Sequence, residues 1–187
     1  MTKDEYKEKL RAFNSTEKYR NELDFLYRLM APQPNEKILD YGCGLGTAVR
    51  EFNRHGGAQV FGYDIRNYRD HDDEHLFRSE YFFKFDKVYF MHSLAHINEI
   101  GTALINLKTI LKPGARLYVI TPNDEWLSYF KNEKNYQKDP TVIRHFDSFS
   151  LMDQLSQFDF EPITRGQFGS MLAGFNERLF LEAQWNG

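Results

Sequence analysis

Two short segments carry the residues with the clearest chemical meaning in this sequence. An apolar run ends at Asp40 and is followed by glycines at alternate positions, Gly42, Gly44 and Gly46. Glycine lets the backbone approach a ligand where a Cβ would collide. A second apolar run ends at Asp64, where an acidic residue of a nucleoside-binding α/β fold accepts hydrogen bonds from ribose hydroxyls. The pattern therefore predicts a strand–turn–helix–strand unit that binds a nucleoside cofactor.

The spacing of the glycines separates this loop from two other nucleotide-binding loops. In the dinucleotide fingerprint the third glycine comes five positions after the first, where this chain has Thr47. A P-loop ends in Gly-Lys-Ser or Gly-Lys-Thr, and Gly46 is not followed by a lysine. The apolar-Asp-x-Gly-x-Gly-x-Gly pattern instead resembles motif I of the class I S-adenosylmethionine-dependent methyltransferases, and Asp64 resembles their second motif.

Further segments are similar to this class and follow in the same order. Residues 85–97 resemble its fourth-strand motif, and residues 111–123 resemble the turn and fifth strand. Residues 145–150 resemble a His-x-x-x-Phe-Ser segment of the ubiquinone-biosynthesis and sugar methyltransferase branch. One departure is Ala95-His96, where the branch usually carries Glu-His.

The resemblance implies S-adenosylmethionine as the cofactor and assigns residues to it. The three glycines would pass under its methionine part, and Asp64 would take the ribose hydroxyls. Met91 and His92 would line the methionine and acceptor side. The predicted cofactor-binding residues are Asp40, Tyr41, Gly42, Cys43, Gly44, Gly46, Asp64, Ile65, Met91 and His92.

Three histidines are the candidate catalytic residues. Methyl transfer to a hydroxyl is helped by a base that takes the proton, and histidine titrates near neutral pH. His92 directly follows a predicted strand, His96 comes four residues later, and His145 opens the segment that resembles the family. We expect one of them, His145 or His92 before His96, to act as the base or to orient the acceptor. The alternative for each is a structural histidine bonded to a loop carbonyl.

Two histidine pairs have a spacing compatible with a shared metal ion, His92 with His96 and His71 with His75. The glutamate that accompanies such a site in related RNA methyltransferases is missing beside His96. Residues 70–75 are so polar that a solvated loop is expected there. We therefore expect no metal.

Alternating strand and helix patterns predict a doubly wound α/β domain with a Rossmann-like methyltransferase fold. Its sheet is expected to have seven mostly parallel strands, with a shortened third-strand region and an antiparallel last strand. The predicted strands are residues 37–41, 59–64, about 76–78, 87–91, 116–121, 162–165 and 178–184. The predicted helices are residues 4–30 with a break at 14–16, 47–54, 98–111 and 150–158, and residues 167–176 are expected to form a loop.

The carboxyl ends of the strands are where such sheets bind ligands. This rule places residues 42–46, Asp64, 91–95 and 122–124 along one rim. The whole chain, 1–187, is expected to be one methyltransferase domain, with N-terminal helices in residues 1–31 and a variable lid or insert in residues 123–149. Aromatic residues of that insert would cover the acceptor or simply pack in a surface loop: Trp126, Tyr129, Phe130 and Tyr136. By family analogy, three aromatics of the first helices would close the cofactor pocket: Tyr6, Phe13 and Tyr19.

The composition narrows the choice of partners and location. A formal net charge of −3 over 187 residues gives no sequence-wide electrostatic case for binding nucleic acid or an anionic membrane. Cys43 is the single cysteine, so the chain cannot form an internal disulfide. No segment has the character of a signal peptide or a membrane span. We expect a cytoplasmic protein.

The sequence thus predicts methyl transfer from S-adenosylmethionine to a small-molecule acceptor, at oxygen in preference to nitrogen. Methylation of RNA or protein is an alternative, and the acidic net charge disfavours RNA. Another is a cofactor-binding partner subunit without turnover, suggested by the missing glutamate before His96 and the shortened third-strand region. The acceptor and the oligomeric state are left open.

Overall fold

Helices and strands alternate along the chain, as the sequence patterns predict. The computed structural model describes residues 2–65, 83–124, 141–172 and 175–187. The elements in chain order are α1 Lys3–Asn14, α2 Glu17–Met30, β1 Lys37–Tyr41, α3 Thr47–His55, β2 Gln59–Tyr63, β3 Phe85–Met91, α4 Ile100–Lys108, β4 Leu111–Pro122, α5 Ser148–Ser156, β5 Phe160–Leu172 and β6 Phe175–Trp185. A single 3-10 turn, Leu94–His96, lies between β3 and α4 within the described ranges.

The six strands of the described residues have the sheet order β2-β1-β3-β4-β6-β5. β1 and β2 pair in parallel, whereas β6 is antiparallel to both β4 and β5. The predicted α/β fold of the methyltransferase type and its reversed last strand are therefore confirmed. The predicted third strand near residues 76–78 lies outside the described residues. The chain divides into two compact units, residues 1–85 and 86–187, and the predicted single domain stays a prediction.

In the first unit, local capping signals set the helix boundaries. Thr2 and Glu5 form a reciprocal capping box at the start of α1. Thr16 accepts a hydrogen bond from the Tyr19 N–H at the start of α2, so the predicted break before this helix is confirmed. The face of α2 that includes Leu23 and Leu26 is buried, which is the periodicity expected of an amphipathic helix.

In the second unit, the central strands are buried on both faces. Val88, Tyr89 and Phe90 are consecutive and almost fully buried in β3, as expected for strands covered on both sides. Helix α5 begins at Ser148, two residues before the predicted start. Its cap is Asp147, whose carboxylate accepts the N–H groups of Phe149 and Ser150.

Three boundaries predicted from sequence were wrong in this unit. The helix expected over residues 98–111 spans Ile100–Lys108, and β4 begins at Leu111 rather than at residue 116. The loop expected over residues 167–176 is largely strand, because β5 continues to Leu172 and β6 begins at Phe175. The pairing of the two strands outweighs the turn signal of their glycines, and an irregularity in register after Phe168 accommodates the positive φ of Gly169.

Candidate functional site

The glycine loop joins β1 to α3 in the first unit. Its three glycines have φ angles of 90° at Gly42, 54° at Gly44 and 71° at Gly46. A residue with a Cβ is strained in this left-handed region. Gly46 is also the residue that caps α3 at its N-terminus. The alternate glycines are thus explained by the backbone path between the strand and the helix.

Backbone hydrogen bonds fasten this loop to the end of β2. The N–H groups of Gly42 and Cys43 both donate to the Tyr63 carbonyl, at 2.6 and 3.0 Å. The Gly44 N–H donates to Oδ2 of Asp64 at 2.9 Å. The carboxylate predicted to bind ribose therefore lies directly against the loop predicted to bind methionine.

The aromatic residues that end β1 and β2 pack side by side. The ring centroids of Tyr41 and Tyr63 are 5.0 Å apart. Burial raises the pKa of Tyr41 to about 12, and Tyr63 contributes to the shift. Tyr41 therefore keeps its hydroxyl proton at neutral pH beside the glycine loop.

The first helix lies against the same loop. A Cβ built on Gly44 would be 3.4 Å from Cδ1 of Leu10. The side-chain amide of Asn14 donates to Oγ1 of Thr47, the first residue of α3, at 2.9 Å. Leu10 and Asn14 were not predicted to lie near the loop. Phe13 was predicted to close the cofactor pocket, and its ring packs edge-on against Tyr19 with the ring centroids 5.4 Å apart.

A buried acidic cluster lies beside the loop and includes Glu22, which was not among the predicted site residues. Asp40 and Glu22 are each only 3% exposed, and Tyr19 is also buried. Burial raises the pKa of Tyr19, the charges of Asp40 and Glu22 raise it further, and Arg50 opposes them. Glu22 falls at helical spacing with Tyr19, Leu23 and Leu26, so its burial was detectable from periodicity.

In the second unit, His92 and His96 occupy different backbone settings. His92 follows β3 with a φ of 60°, and its N–H donates to the Ile120 carbonyl at 2.8 Å. Such left-handed non-glycine residues cost free energy and occur often at functional sites. His96 lies in the 3-10 turn, and its Nδ1 is 2.8 Å from the Thr141 carbonyl oxygen. That contact matches the structural alternative considered for His96.

His145 has a different environment, because a carboxylate faces its ring. Its Nδ1 lies 3.4 Å from Oδ1 of Asp124, and the two side chains are 25% and 31% exposed. Its Nε2 is buried and has no hydrogen-bond partner among the described residues. Asp124 lies on the ligand rim predicted from the strand ends but was not among the predicted site residues. Its position just beyond the end of β4 was the available signal.

Hydrogen bonds connect the three segments that carry the histidines. The N–H groups of Ile143 and Arg144 donate to the Ala95 carbonyl, and the Asp124 N–H donates to the Phe146 carbonyl at 2.9 Å. The structure therefore brings His92, His96 and His145 onto one connected group of loops in the second unit.

Some predicted features fall outside the described residues. They include the polar run 70–75 and the four aromatic residues of the predicted lid. Within residues 2–65, 83–124, 141–172 and 175–187, no cluster of three or more His, Cys, Asp or Glu side chains is placed to hold a metal ion. Among the helices of these ranges, none has the length and apolar character needed to cross a membrane.

The α/β sheet with its reversed last strand, and the glycine loop fastened to the acidic residue after β2, define a class I methyltransferase. A family model described as a methyltransferase domain matches residues 7–165, and the chain belongs to this family. The resemblance to S-adenosylmethionine-dependent methyltransferases inferred from the sequence motifs is thus confirmed.

Individual relatives extend this likeness. The chain is 31% identical over 171 residues to a ubiquinone biosynthesis O-methyltransferase of Bradyrhizobium sp. (strain ORS 278), over 79% of this chain and 66% of the relative. It is 30% identical over 127 residues to O-methyltransferase resE of Aspergillus sclerotiorum, over 54% of this chain and 48% of the relative. The chain thus spans only about half the length of some of the curated relatives that it matches.

A solved structure supports the fold. The magnesium protoporphyrin IX methyltransferase of Synechocystis PCC 6803, solved with bound SAH, is similar with a TM-score of 0.63. The likeness covers 89% of this chain and 83% of that chain at 18% sequence identity. At this identity the match shows a common fold and leaves the acceptor open.

Proposed function

We propose that this protein transfers the methyl group of S-adenosylmethionine to a hydroxyl of a small-molecule acceptor. The observation that carries the proposal is the contact between the Gly44 N–H and the Asp64 carboxylate, in a loop of positive-φ glycines. Oxygen as the methylated atom is supported by relatives named as O-methyltransferases.

Residues of the first unit fit a nucleoside cofactor. Gly42, Gly44 and Gly46 leave the loop without Cβ atoms, and the Gly44 N–H fixes the orientation of the Asp64 carboxylate toward ribose hydroxyls. Ile65 follows directly and is 84% exposed, so it offers an apolar surface to an adenine ring. Tyr41 ends β1 and Cys43 belongs to the glycine loop, and both stay predicted contacts.

The charge of the buried cluster also suits this cofactor. Asp40 and Glu22 are carboxylates in a buried setting, where attraction to a cation is stronger than in water. The methionine part of the cofactor carries an ammonium group, and we assign its attraction to these two residues. When bound, the cofactor supplies a methyl group on a positively charged sulfur, which leaves as a neutral thioether.

The second unit offers a base for the acceptor proton. Nδ1 of His96 already contacts the Thr141 carbonyl, whereas Nε2 of His145 has no hydrogen-bond partner among the described residues. We assign His145 as the base. As the acceptor oxygen forms its bond to the methyl carbon, its proton moves to Nε2, and the carbon–sulfur bond breaks with its electron pair on sulfur. Met91 and His92 stay predicted to line the methionine and acceptor side.

A labelled-methyl assay tests this function. The protein is incubated with methyl-labelled S-adenosylmethionine and, in separate reactions, polyhydroxylated aromatic acids, deoxysugars, RNA and protein. We expect label in a small molecule at an oxygen atom, with Asp64→Ala as the inactive control. Label only in RNA or protein would replace the proposed acceptor class. Cofactor binding without any product would favour a partner subunit.

A further inference from the structure

The side chains of Asp124 and His145 form a pair whose arrangement deepens the proposed function. We infer that Asp124 is a positioning residue that holds His145 in the Nδ1–H tautomer, so that Nε2 accepts the proton. The inference rests on the proposed function in one respect, the assignment of His145 as the base. The pairing itself rests on contacts within the second unit.

The backbone fixes the position of Asp124 at several points. Its N–H donates to the Phe146 carbonyl at 2.9 Å, and the preceding Asn123 forms a parallel bridge with Phe146. Asn123 is fully buried; its side-chain amide donates to the Asn176 carbonyl at 2.8 Å, and its N–H donates to the Glu177 carbonyl at 3.0 Å. The segment that ends in this carboxylate is thus fastened both to Phe146 and to residues 176 and 177.

His145 is held between two anchors in the same way. The preceding Arg144 donates from its guanidinium to the carbonyls of Ile97 and Asn98, at 2.5 and 2.8 Å. The following Phe146 is 3% exposed and belongs to the bridge with Asn123. Because both neighbours of His145 are fixed, the backbone determines the position of the imidazole beside Asp124.

The chemistry of the two groups then assigns the tautomer. A neutral imidazole has one donor and one acceptor nitrogen, and a carboxylate only accepts. The nitrogen facing Asp124 is Nδ1, at 3.4 Å, so Nδ1 carries the hydrogen and Nε2 has the lone pair. This distance is longer than a formed hydrogen bond, as catalytic contacts often are before substrates bind. The carboxylate also stabilises the imidazolium that forms when Nε2 takes a proton.

The buried Nε2 is an independent observation that points to a ligand. Buried polar atoms in folded proteins nearly always have a hydrogen-bond partner, and one without a partner costs about 1–3 kcal/mol. Within the part of the chain that the structure describes, Nε2 of His145 has none. A hydroxyl that donates to Nε2 would satisfy it, which is the contact that a base needs with its acceptor.

Long-range ¹H–¹⁵N NMR of the imidazoles tests the tautomer without any turnover. The His145 signals are assigned by their loss in His145→Gln, at a pH where the ring is neutral. We expect the Nδ1–H form in the natural chain and a shift toward the Nε2–H form in Asp124→Asn, whose amide can donate as well as accept. Asp153→Asn, which changes an exposed carboxylate of the same unit, should leave the signals unchanged. An Nε2–H form in the natural chain would overturn the inference, even if Asp124→Asn does not fold.

Turnover measurements test whether the pair acts in proton transfer. We expect Asp124→Asn to lower kcat by about 10- to 100-fold, less than the roughly 100- to 10,000-fold that a general base itself contributes, while the KM for S-adenosylmethionine stays the same. In the His145→Gln background the same change should have little further effect, because the two residues act as a unit. Additive losses, or an unchanged kcat in Asp124→Asn, would overturn the role in catalysis. Failure of the natural chain to methylate anything would refute the proposed function, while the NMR result would still decide the pairing.

Discussion

The glycine loop of the first unit and the Asp124–His145 pair of the second unit differ in what holds them together. The N–H groups of the glycine loop donate to the Tyr63 carbonyl and to the Asp64 carboxylate inside one strand–turn–helix–strand segment, so the spacing in the sequence already encodes the contact. Asp124 and His145 meet because a bridge joins two loops that have no fixed spacing. A site built within one local segment can therefore be predicted from the sequence, whereas a site built by side chains of separate loops cannot.

The largest effect is expected at Asp64, whose carboxylate lies against the glycine loop. Asp64→Ala would remove the hydrogen bonds that we propose between this carboxylate and the ribose, and bonds to charged groups contribute about 1.5–3 kcal/mol each. We expect the affinity for S-adenosylmethionine to fall by about 100-fold or more, as measured by calorimetric titration. Asp24→Ala, which removes an exposed carboxylate from α2, serves as the control. Equal binding by the natural chain and Asp64→Ala would remove Asp64 from the site.

The next largest effect is expected at Gly44, where an added Cβ would meet both a neighbouring side chain and a strained backbone. Gly44→Ala places a Cβ at 3.4 Å from Leu10 at a φ of 54°, whereas Gly56→Ala is strained at a φ of 75° but meets nothing within 4 Å. We expect each variant to lose about 1–2 kcal/mol of unfolding free energy in urea titrations. Only Gly44→Ala should also lose cofactor affinity, by about tenfold. If Gly56→Ala weakens binding as much, the loop does not have the special role assigned to it.

His92 extends the comparison to the second unit, because it has a left-handed backbone without being glycine. His92→Gly and His92→Ala both remove the imidazole, but only alanine keeps a Cβ at a φ of 60°. We expect His92→Gly to be more stable than His92→Ala by about 1 kcal/mol in chemical unfolding. If both variants differ from the natural chain in kcat, the imidazole of His92 contributes to turnover. Equal stability of the two variants would mean that His92 carries no backbone strain.

The smallest effects are expected at helix caps, where the caps of α2 and α5 differ in their response to pH. Asp147 caps α5, and its pKa lies below the ordinary 3.8. The main cause is the hydrogen bond from the Ser150 N–H, and hydrogen bonds from the Ser150 side chain and the Phe149 N–H lower this pKa further. Because the folded pKa is depressed, its contribution is present above about pH 3.8 and is lost as the pH falls through the folded pKa. The cap of α2 is Thr16, which does not titrate in this range.

Urea unfolding of matched variants at pH 7 and pH 3 measures this difference. Thr16→Ala should lose about 1 kcal/mol at both pH values. Asp147→Asn should equal the natural chain at pH 7, since asparagine caps as well as aspartate, and become the more stable of the two at pH 3. The same gap between Asp147→Asn and the natural chain at both pH values would contradict the assigned cap.

The sequence sufficed for most of the fold for a physical reason. Apolar periodicity and the break at residues 14–16 predicted α1 and α2, and the order of strands and helices predicted the sheet with its reversed last strand. The strand ends at β5 and β6 were missed because pairing with a neighbour outweighs local propensity. Turn signals at Gly169 therefore gave a loop where the backbone continues as strand.

The candidate sites divide along the same line. The glycine spacing was recognisable because positive φ angles restrict the residue type, and Asp64 was recognisable because it directly follows the apolar run of β2. Glu22 was detectable but overlooked, since a charged residue on the apolar face of α2 is visible in its helical spacing. The pairing of Asp124 with His145 depends on how two loops meet, and no local pattern encodes that meeting.

The central claim is that residues of the glycine loop and Asp64 bind S-adenosylmethionine. Calorimetric titration of the folded natural chain with S-adenosylmethionine and S-adenosylhomocysteine tests it most directly. We predict saturable binding of both molecules at a single site, with competition between them. No heat of binding for either molecule, in protein whose circular dichroism and cooperative unfolding show that it is folded, would contradict the claim.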